Sequence, residues 1–113
     1  MELEKIINEL QEISGYIGST VLNKTGEIIY IDEDKTIDLA FSSSLFNDTF
    51  RTLTEASLDI GLTDLMHLEA ETEEGEVFLI YANKQHSIFA IFNSEGNVSL
   101  AKMLLAQALK KSI

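Results

Sequence analysis

The 113-residue sequence predicts an α+β fold: an α/β/α three-layer sandwich around a five-stranded antiparallel sheet, in the element order α-β-β-α-β-β-β-α. Three observations predict it. Helical and strand periodicities follow one another in that order along the chain. Most segments between the strand patterns are short and turn-like, as hairpins require. Two runs, Val77 to Ala82 and Ile88 to Phe92, are apolar at every position, so their strands must be covered on both faces. The length suits one domain over residues 1–113, without repeats or linkers.

Each element has its own signal. Leu3, Ile6, Ile7, Leu10 and Ile13 recur at helical spacing, with Glu4, Glu9 and Glu12 on the other face, and Gly15 ends that helix. A strand through Thr20, Val21 and Leu22 meets turn chemistry at Asn23-Lys24-Thr25-Gly26, and Glu27 to Ile31 returns as the second arm of a hairpin. Asp32-Glu33-Asp34-Lys35 reads as a charged connection. From Ile37 to Ile60 the pattern is helical and carries two apolar stripes. Leu39, Phe46, Phe50, Leu53 and Ile60 form one; Phe41, Leu45, Thr52 and Ala56 form the other. A helix lying on a sheet hides one stripe there and leaves the second needing a cover. Gly61 is its stop signal. Asp64 to Thr72 alternates, with Met66, Leu68 and Ala70 opposite His67, Glu69 and Glu71. Glu73-Glu74-Gly75 turns the chain into the fourth strand, and Asn83 to His86 joins the fourth to the fifth. Val98, Ala101, Leu104, Leu105 and Ala108 make the last helical stripe, ending at Lys110-Lys111, where positive charge suits the helix dipole.

Composition narrows the function classes. Nineteen acidic residues against eight basic ones give a formal charge of −11, the wrong sign for a nucleic-acid or anionic-membrane binder. With no Cys there are no disulfides, thiol nucleophiles or thiolate metal sites. No apolar run reaches the ~18 residues of a membrane span. The opening Met-Glu-Leu-Glu-Lys is acidic and amphipathic, unlike a signal peptide, so a cytoplasmic location is expected.

Three stretches carry a family resemblance. They are Ile13-Ser14-Gly15-Tyr16-Ile17-Gly18-Ser19-Thr20-Val21-Leu22-Asn23-Lys24-Thr25-Gly26, Leu39-Ala40-Phe41 at the start of the long helix, and Gly96-Asn97-Val98-Ser99-Leu100-Ala101 at the start of the last. With this element order, the chain resembles the roadblock family of dynein-type light chains and small-GTPase regulators, of the MglB-like type. Asn23 stands where many members carry an acidic residue; both make such turns. The resemblance implies a homodimer in which third strands pair across a two-fold axis and central helices pack together. It implies a non-catalytic scaffold or regulator of a Ras-like small GTPase. The uncovered second stripe and the unpaired third strand point the same way, because exposed strand edges are a liability. The expected self-association surface is Phe41, Leu45 and Thr52 from the helix with Leu65, Met66 and His67 from the strand. Glu69 and Glu71 on that edge oppose it, since like charges across a strand pair repel. Two alternatives are an adaptor clamping peptide partners, as dynein light chains do, and a profilin-like or sensor-like module holding a small ligand in the sheet–helix interior. Phe78, Ile80, Phe89 and Phe92 favour a filled interior over the latter.

Catalytic and cofactor signals are weak. Ser42-Ser43-Ser44 suits close helix packing better than nucleophilic chemistry. His86 and Ser87 are sequence neighbours, which point to opposite faces of a strand, and His86 reads as a loop histidine. Glu69 and Glu71, ~7 Å apart by strand rise, sit beside Glu73, Glu74 and Glu76 as a solvated acidic tip. His67 and Glu69 offer too few ligands for a metal. Gly15-x-x-Gly18 precedes a strand, whereas phosphate loops follow one. No cofactor, metal or catalytic residue is therefore expected. Arg51 is the chain's lone arginine, expected near the dimer seam, which disfavours an arginine-finger mechanism and favours repositioning of a partner's own groups. Asn23-Lys24-Thr25, Asn47-Asp48-Thr49 and Asn97-Val98-Ser99 match the glycosylation triplet by chance.

Overall fold

The structure is a computed structural model that describes residues 2–32 and 37–111. The charged connection expected at Asp32-Glu33-Asp34-Lys35 lies outside the described residues beyond Asp32. The elements are α1 (Glu2–Gln11), β1 (Tyr16–Asn23), β2 (Ile28–Asp32), α2 (Leu39–Asp59), β3 (His67–Glu71), β4 (Val77–Ala82), β5 (His86–Phe92) and α3 (Val98–Lys111). The strands form one antiparallel sheet in the order β2-β1-β5-β4-β3. β5 follows β4 by a hairpin yet also pairs with β1, so the last strand of the chain is the centre of the sheet.

Two apolar clusters explain why β4 and β5 are continuous hydrophobic runs. Val77, Leu79 and Tyr81 of β4 and Ile88, Ala90 and Phe92 of β5 pack with Ile7 and Leu10 of α1 and Ala101 and Leu105 of α3. Their alternates, Ile80 of β4 with Phe89 and Ile91 of β5, pack with Leu39 and Phe50 of α2. Phe46 of α2 stacks on Phe78 and Phe89, with ring centroids 4.9 and 5.1 Å away. The result is the expected three layers, with α1 and α3 on one face and α2 on the other. Phe46, Phe78 and Phe89 fill the middle of the layer beneath α2, whereas Phe92 lies on the opposite face of the sheet with α1 and α3.

The ends of α2 follow local chemistry. The Asp38 carboxylate accepts a hydrogen bond from the Phe41 backbone N–H, relieving one of the orphan donors of the first turn. At the other end Gly61 takes φ +88°. Its N–H donates to the Leu58 carbonyl and that of Leu62 to the Ser57 carbonyl, the paired closure of a Schellman motif.

The stripe assigned to the sheet needs correction. Leu39, Phe46 and Phe50 do face it, but Leu53 is 40% and Ile60 75% exposed. Buried Ser43 and Ser57 complete the inward line instead. Small hydroxyls let the helix approach closely and then find partners: Ser43 Oγ donates to the Leu39 carbonyl at 2.6 Å and lies 2.7 Å from Thr20 Oγ1 of β1, while Ser57 Oγ donates to the Thr63 carbonyl.

The Gly-rich stretch before β1 is a crossing point rather than a ligand loop. Gly15 has φ +82°, and a Cβ there would lie 2.3 Å from the Gly96 Cα. Asn93 and Asn97 N–H groups donate to the Gly15 and Ser14 carbonyls. Two stretches of the family resemblance thus touch; that contact requires Gly15, while a Cβ on Gly96 would lie 2.9 Å from the Phe92 Cβ. β1 begins at Tyr16, earlier than the sequence suggested. A register irregularity against β5 between Tyr16 and Gly18 accommodates the extra residue.

Candidate functional site

Two features of α2 are left unexplained by the core. α2 turns by about 100° per residue. Phe41, Leu45, Thr49, Thr52, Ala56 and Ile60 therefore share one flank, and Asn47, Arg51 and Thr54 lie on the other side of the helix, with Glu55 between the two. The first flank is solvent-facing. Phe41 is 62% and Leu45 51% exposed, and Thr52 and Ala56 are exposed too. Leu62 and Met66, on the segment that leaves α2 for β3, are also exposed, Met66 at 68%.

The six residues expected at a self-association surface are thus distributed unevenly. Phe41, Leu45 and Thr52 lie together on the outer flank of α2, and Thr52 Oγ1 donates to the Asp48 carbonyl. Leu65 and Met66 precede β3 rather than forming it; only His67 belongs to the strand. Leu65 is half-buried against the cluster beneath α2. His67 is exposed and stacked on Tyr81, with centroids 4.8 Å apart.

β3 is an edge strand. The Ala82 N–H donates to the Met66 carbonyl, and His67 is opposite Tyr81, so the inward-bonding residues of β3 are Leu68 and Ala70. The N–H and C=O groups of His67, Glu69 and Glu71 point out of the sheet. No counter-charge for Glu69 was legible in its own stretch of chain. In the fold, Lys102 Nζ of α3 lies 2.7 Å from Glu69 Oε1, and that contact raises the lysine pKa. Half of the acidic objection to pairing along this edge is thereby removed.

The second feature is a cavity of about 670 Å³ at one end of the seam between α2 and the sheet. The β1–β2 turn brings Asn23 and Lys24 to it, the β4–β5 turn Asn83 and Lys84, and β5 His86 and Ser87. From α2 come Asn47, Phe50, Arg51, Thr54 and Glu55, and from the approach to β3 Asp64, Leu65 and Met66. Ser87 Oγ donates to Asn47 Oδ1, and Asn83 Oδ1 accepts from the Gln85 and His86 N–H groups. Thr54 Oγ1 and His86 Nδ1 are buried and have no hydrogen-bond partner among the described residues. Each such atom costs about 1–3 kcal/mol, so native folds rarely leave two on one wall. Sequence reading missed this site and expected Arg51 near the dimer seam; the structure places it, exposed, in the lining of the cavity beside Leu65 and Met66. His86 opens β5 rather than lying in a loop.

The remaining candidates keep structural roles. Glu76 accepts from Thr72 Oγ1 and belongs to a hairpin turn with Gly75 at φ +91°. Among the described residues, no three His, Asp or Glu side chains gather as a metal site, and no helix is long and apolar enough to cross a membrane.

No family model and no curated protein matches the chain. Solved structures do. A Roadblock/LC7 domain from Streptomyces avermitilis superposes with a TM-score of 0.81 at 10% identity, over 98% of this chain and 94% of that one. MglB from Myxococcus xanthus gives 0.83 at 13%, over 98% and 84%. The gliding protein MglB from Thermus thermophilus gives 0.76 at 11%, over 97% and 90%. At such identities the shared property is the backbone arrangement, and the conclusion it carries is the fold expected from the three sequence stretches: the chain has the fold of Roadblock/LC7 domains.

Proposed function

We propose that residues 1–113 form one roadblock domain that acts as a non-catalytic homodimer, a platform on which a Ras-like small GTPase is bound and regulated. The observation that carries this reading is the exposed apolar flank of α2 beside a sheet whose β3 edge is open. Covering a half-exposed Leu, Phe, Ile or Met contributes roughly 1 kcal/mol. Phe41, Leu45, Leu53, Ile60, Leu62 and Met66 together present enough that two copies, each covering the other, offset an association cost of about 4–15 kcal/mol. Outward N–H and C=O groups at His67, Glu69 and Glu71 provide the rungs for antiparallel pairing of β3 with its mate. The likeness to MglB proteins supports a GTPase as the partner class, and the acidic surface suits a partner with a basic patch. Regulation then requires different affinities for the partner's two nucleotide states.

Leu45→Glu is the test of the seam. Leu45 is exposed in the lone chain, so the variant folds, but in a dimer it buries an unpaired charge. Sedimentation should show the parent at twice the mass of the variant; equal masses overturn the interface. Hydrolysis and exchange by a cognate GTPase, measured with and without the chain, test the partner. Unchanged rates together with no binding remove the GTPase. Arg51→Ala separates mechanisms: stimulation that survives it comes from repositioning the partner's own groups, and stimulation that it abolishes comes from an arginine finger.

A further inference from the structure

Lys24, Arg51 and Lys84 line the mouth of the 670 Å³ cavity, each from a different element. They are three of the eight Lys and Arg residues in a chain that carries 19 Asp and Glu. Only two carboxylates, Glu55 and Asp64, share the lining with them. The local balance is therefore one positive charge in a molecule of −11. Among the described residues none of the three cations is in an ion pair; the one described pair is Lys102 with Glu69. Further in, Phe50, Leu65 and Ala82 belong to or pack on the apolar cluster beneath α2. The same lining contains the residues of the two buried polar atoms without a partner among the described residues, Thr54 Oγ1 and His86 Nδ1.

Cavities of a few hundred Å³ with apolar walls and a few convergent polar groups are the usual form of small-molecule sites. We propose that this cavity binds a small organic monoanion, with an aromatic or branched apolar body against Phe50 and Leu65 and a carboxylate at Lys24, Arg51 and Lys84. A single excess positive charge matches one carboxylate and disfavours a phosphate dianion. Thr54 and His86 hydrogen-bond the polar group that links body and charge. Phe41 and Leu45 lie outside the lining, whereas Leu65 and Met66 belong both to it and to the surface expected for self-association, so the site borders the proposed seam without including its centre.

The experiment is an amide-shift titration of the whole ¹⁵N-labelled chain with three probes: 2-naphthoate, the neutral 2-naphthylmethanol, and inorganic phosphate. Naphthoate should bind saturably, shift amides around Lys24, Thr54 and His86, and exceed the alcohol about tenfold in affinity, the worth of one charge-assisted contact. Arg51→Gln with Lys84→Gln, both at exposed positions, should remove that preference while leaving the rest of the spectrum in place. Equal binding of naphthoate and the alcohol overturns the anion site. So do shifts centred on Phe41 and Leu45, or a double variant that binds as the parent does. Phosphate binding at the same residues as tightly as naphthoate overturns the apolar half of the assignment.

Discussion

Tyr16 ties three elements together through one hydroxyl. Its OH donates to Asp32 Oδ2 of β2 at 2.6 Å and lies 2.7 Å from Ser19 Oγ, and Gln11 Nε2, the last residue of α1, donates to the same Asp32 oxygen. Burial, and next the hydrogen bond to the Asp32 carboxylate, push the phenol pKa far above its ordinary value of 10.0. A raised phenol pKa means the folded state holds its proton more tightly than the unfolded chain. The resulting stability is complete below pH ~10 and is lost as pH climbs above it, where the unfolded phenol ionises and the folded one does not. Tyr16→Phe should cost about 1–2 kcal/mol at neutral pH. In urea melts between pH 9 and 11.5 the gap to the parent should narrow, because Tyr81 and Lys102 titrate in both proteins and cancel. The same scale shows what single residues disclosed. Each triplet asparagine has structural work: Asn23 Oδ1 accepts from the Thr25 and Glu27 N–H groups, Asn47 from Ser87, and Asn97 from the Leu100 N–H at the start of α3. The motif match said nothing of this, since it reads three letters and not their partners.

Elements were more legible than their faces. The period of α2 was clear, but which stripe met the sheet was not, because its contact line passes through Ser43 and Ser57 rather than Leu53 and Ile60. A hydropathy pattern favours the larger apolar side chain, whereas close helix–sheet approach favours the small one. β3 shows the reverse case. Its alternation was readable, and the ladder then fixed which residues bond inward. Glu69→Pro removes an N–H that points away from β4, so the β3–β4 ladder survives. The exposed contact to Lys102 is lost with it, at a cost of about 1 kcal/mol or less. Sedimentation of this variant should give the mass of one chain together with a far-ultraviolet spectrum like the parent's; a persistent dimer would exclude β3 pairing.

At the scale of the molecule, charge sets the terms of association. Two copies at −11 each repel over distances set by the ionic atmosphere, which shrinks from about 10 Å at 0.1 M salt to 3 Å at 1 M. The proposed seam is apolar, so self-association should tighten as NaCl rises over that range. Weakening with salt, read by analytical ultracentrifugation, would mean that ion pairs carry the interface instead. The cationic mouth of the cavity is also a whole-molecule property. Lys24, Arg51 and Lys84 are 27 and 33 residues apart, so no short window of sequence brings the three together.

The element order, the three layers and the two-sided burial of β4 and β5 were all readable from the residues alone. Those features are written in local periodicity and turn chemistry, which act over a few neighbouring residues. The tertiary structure was needed to show that Gly15 meets Gly96, that Lys102 neutralises Glu69, and that two turns, a helix and a strand approach enclose one cavity. Each of these joins residues distant along the chain, and their meeting depends on strand register and helix rotation, which are set by packing rather than by any local pattern.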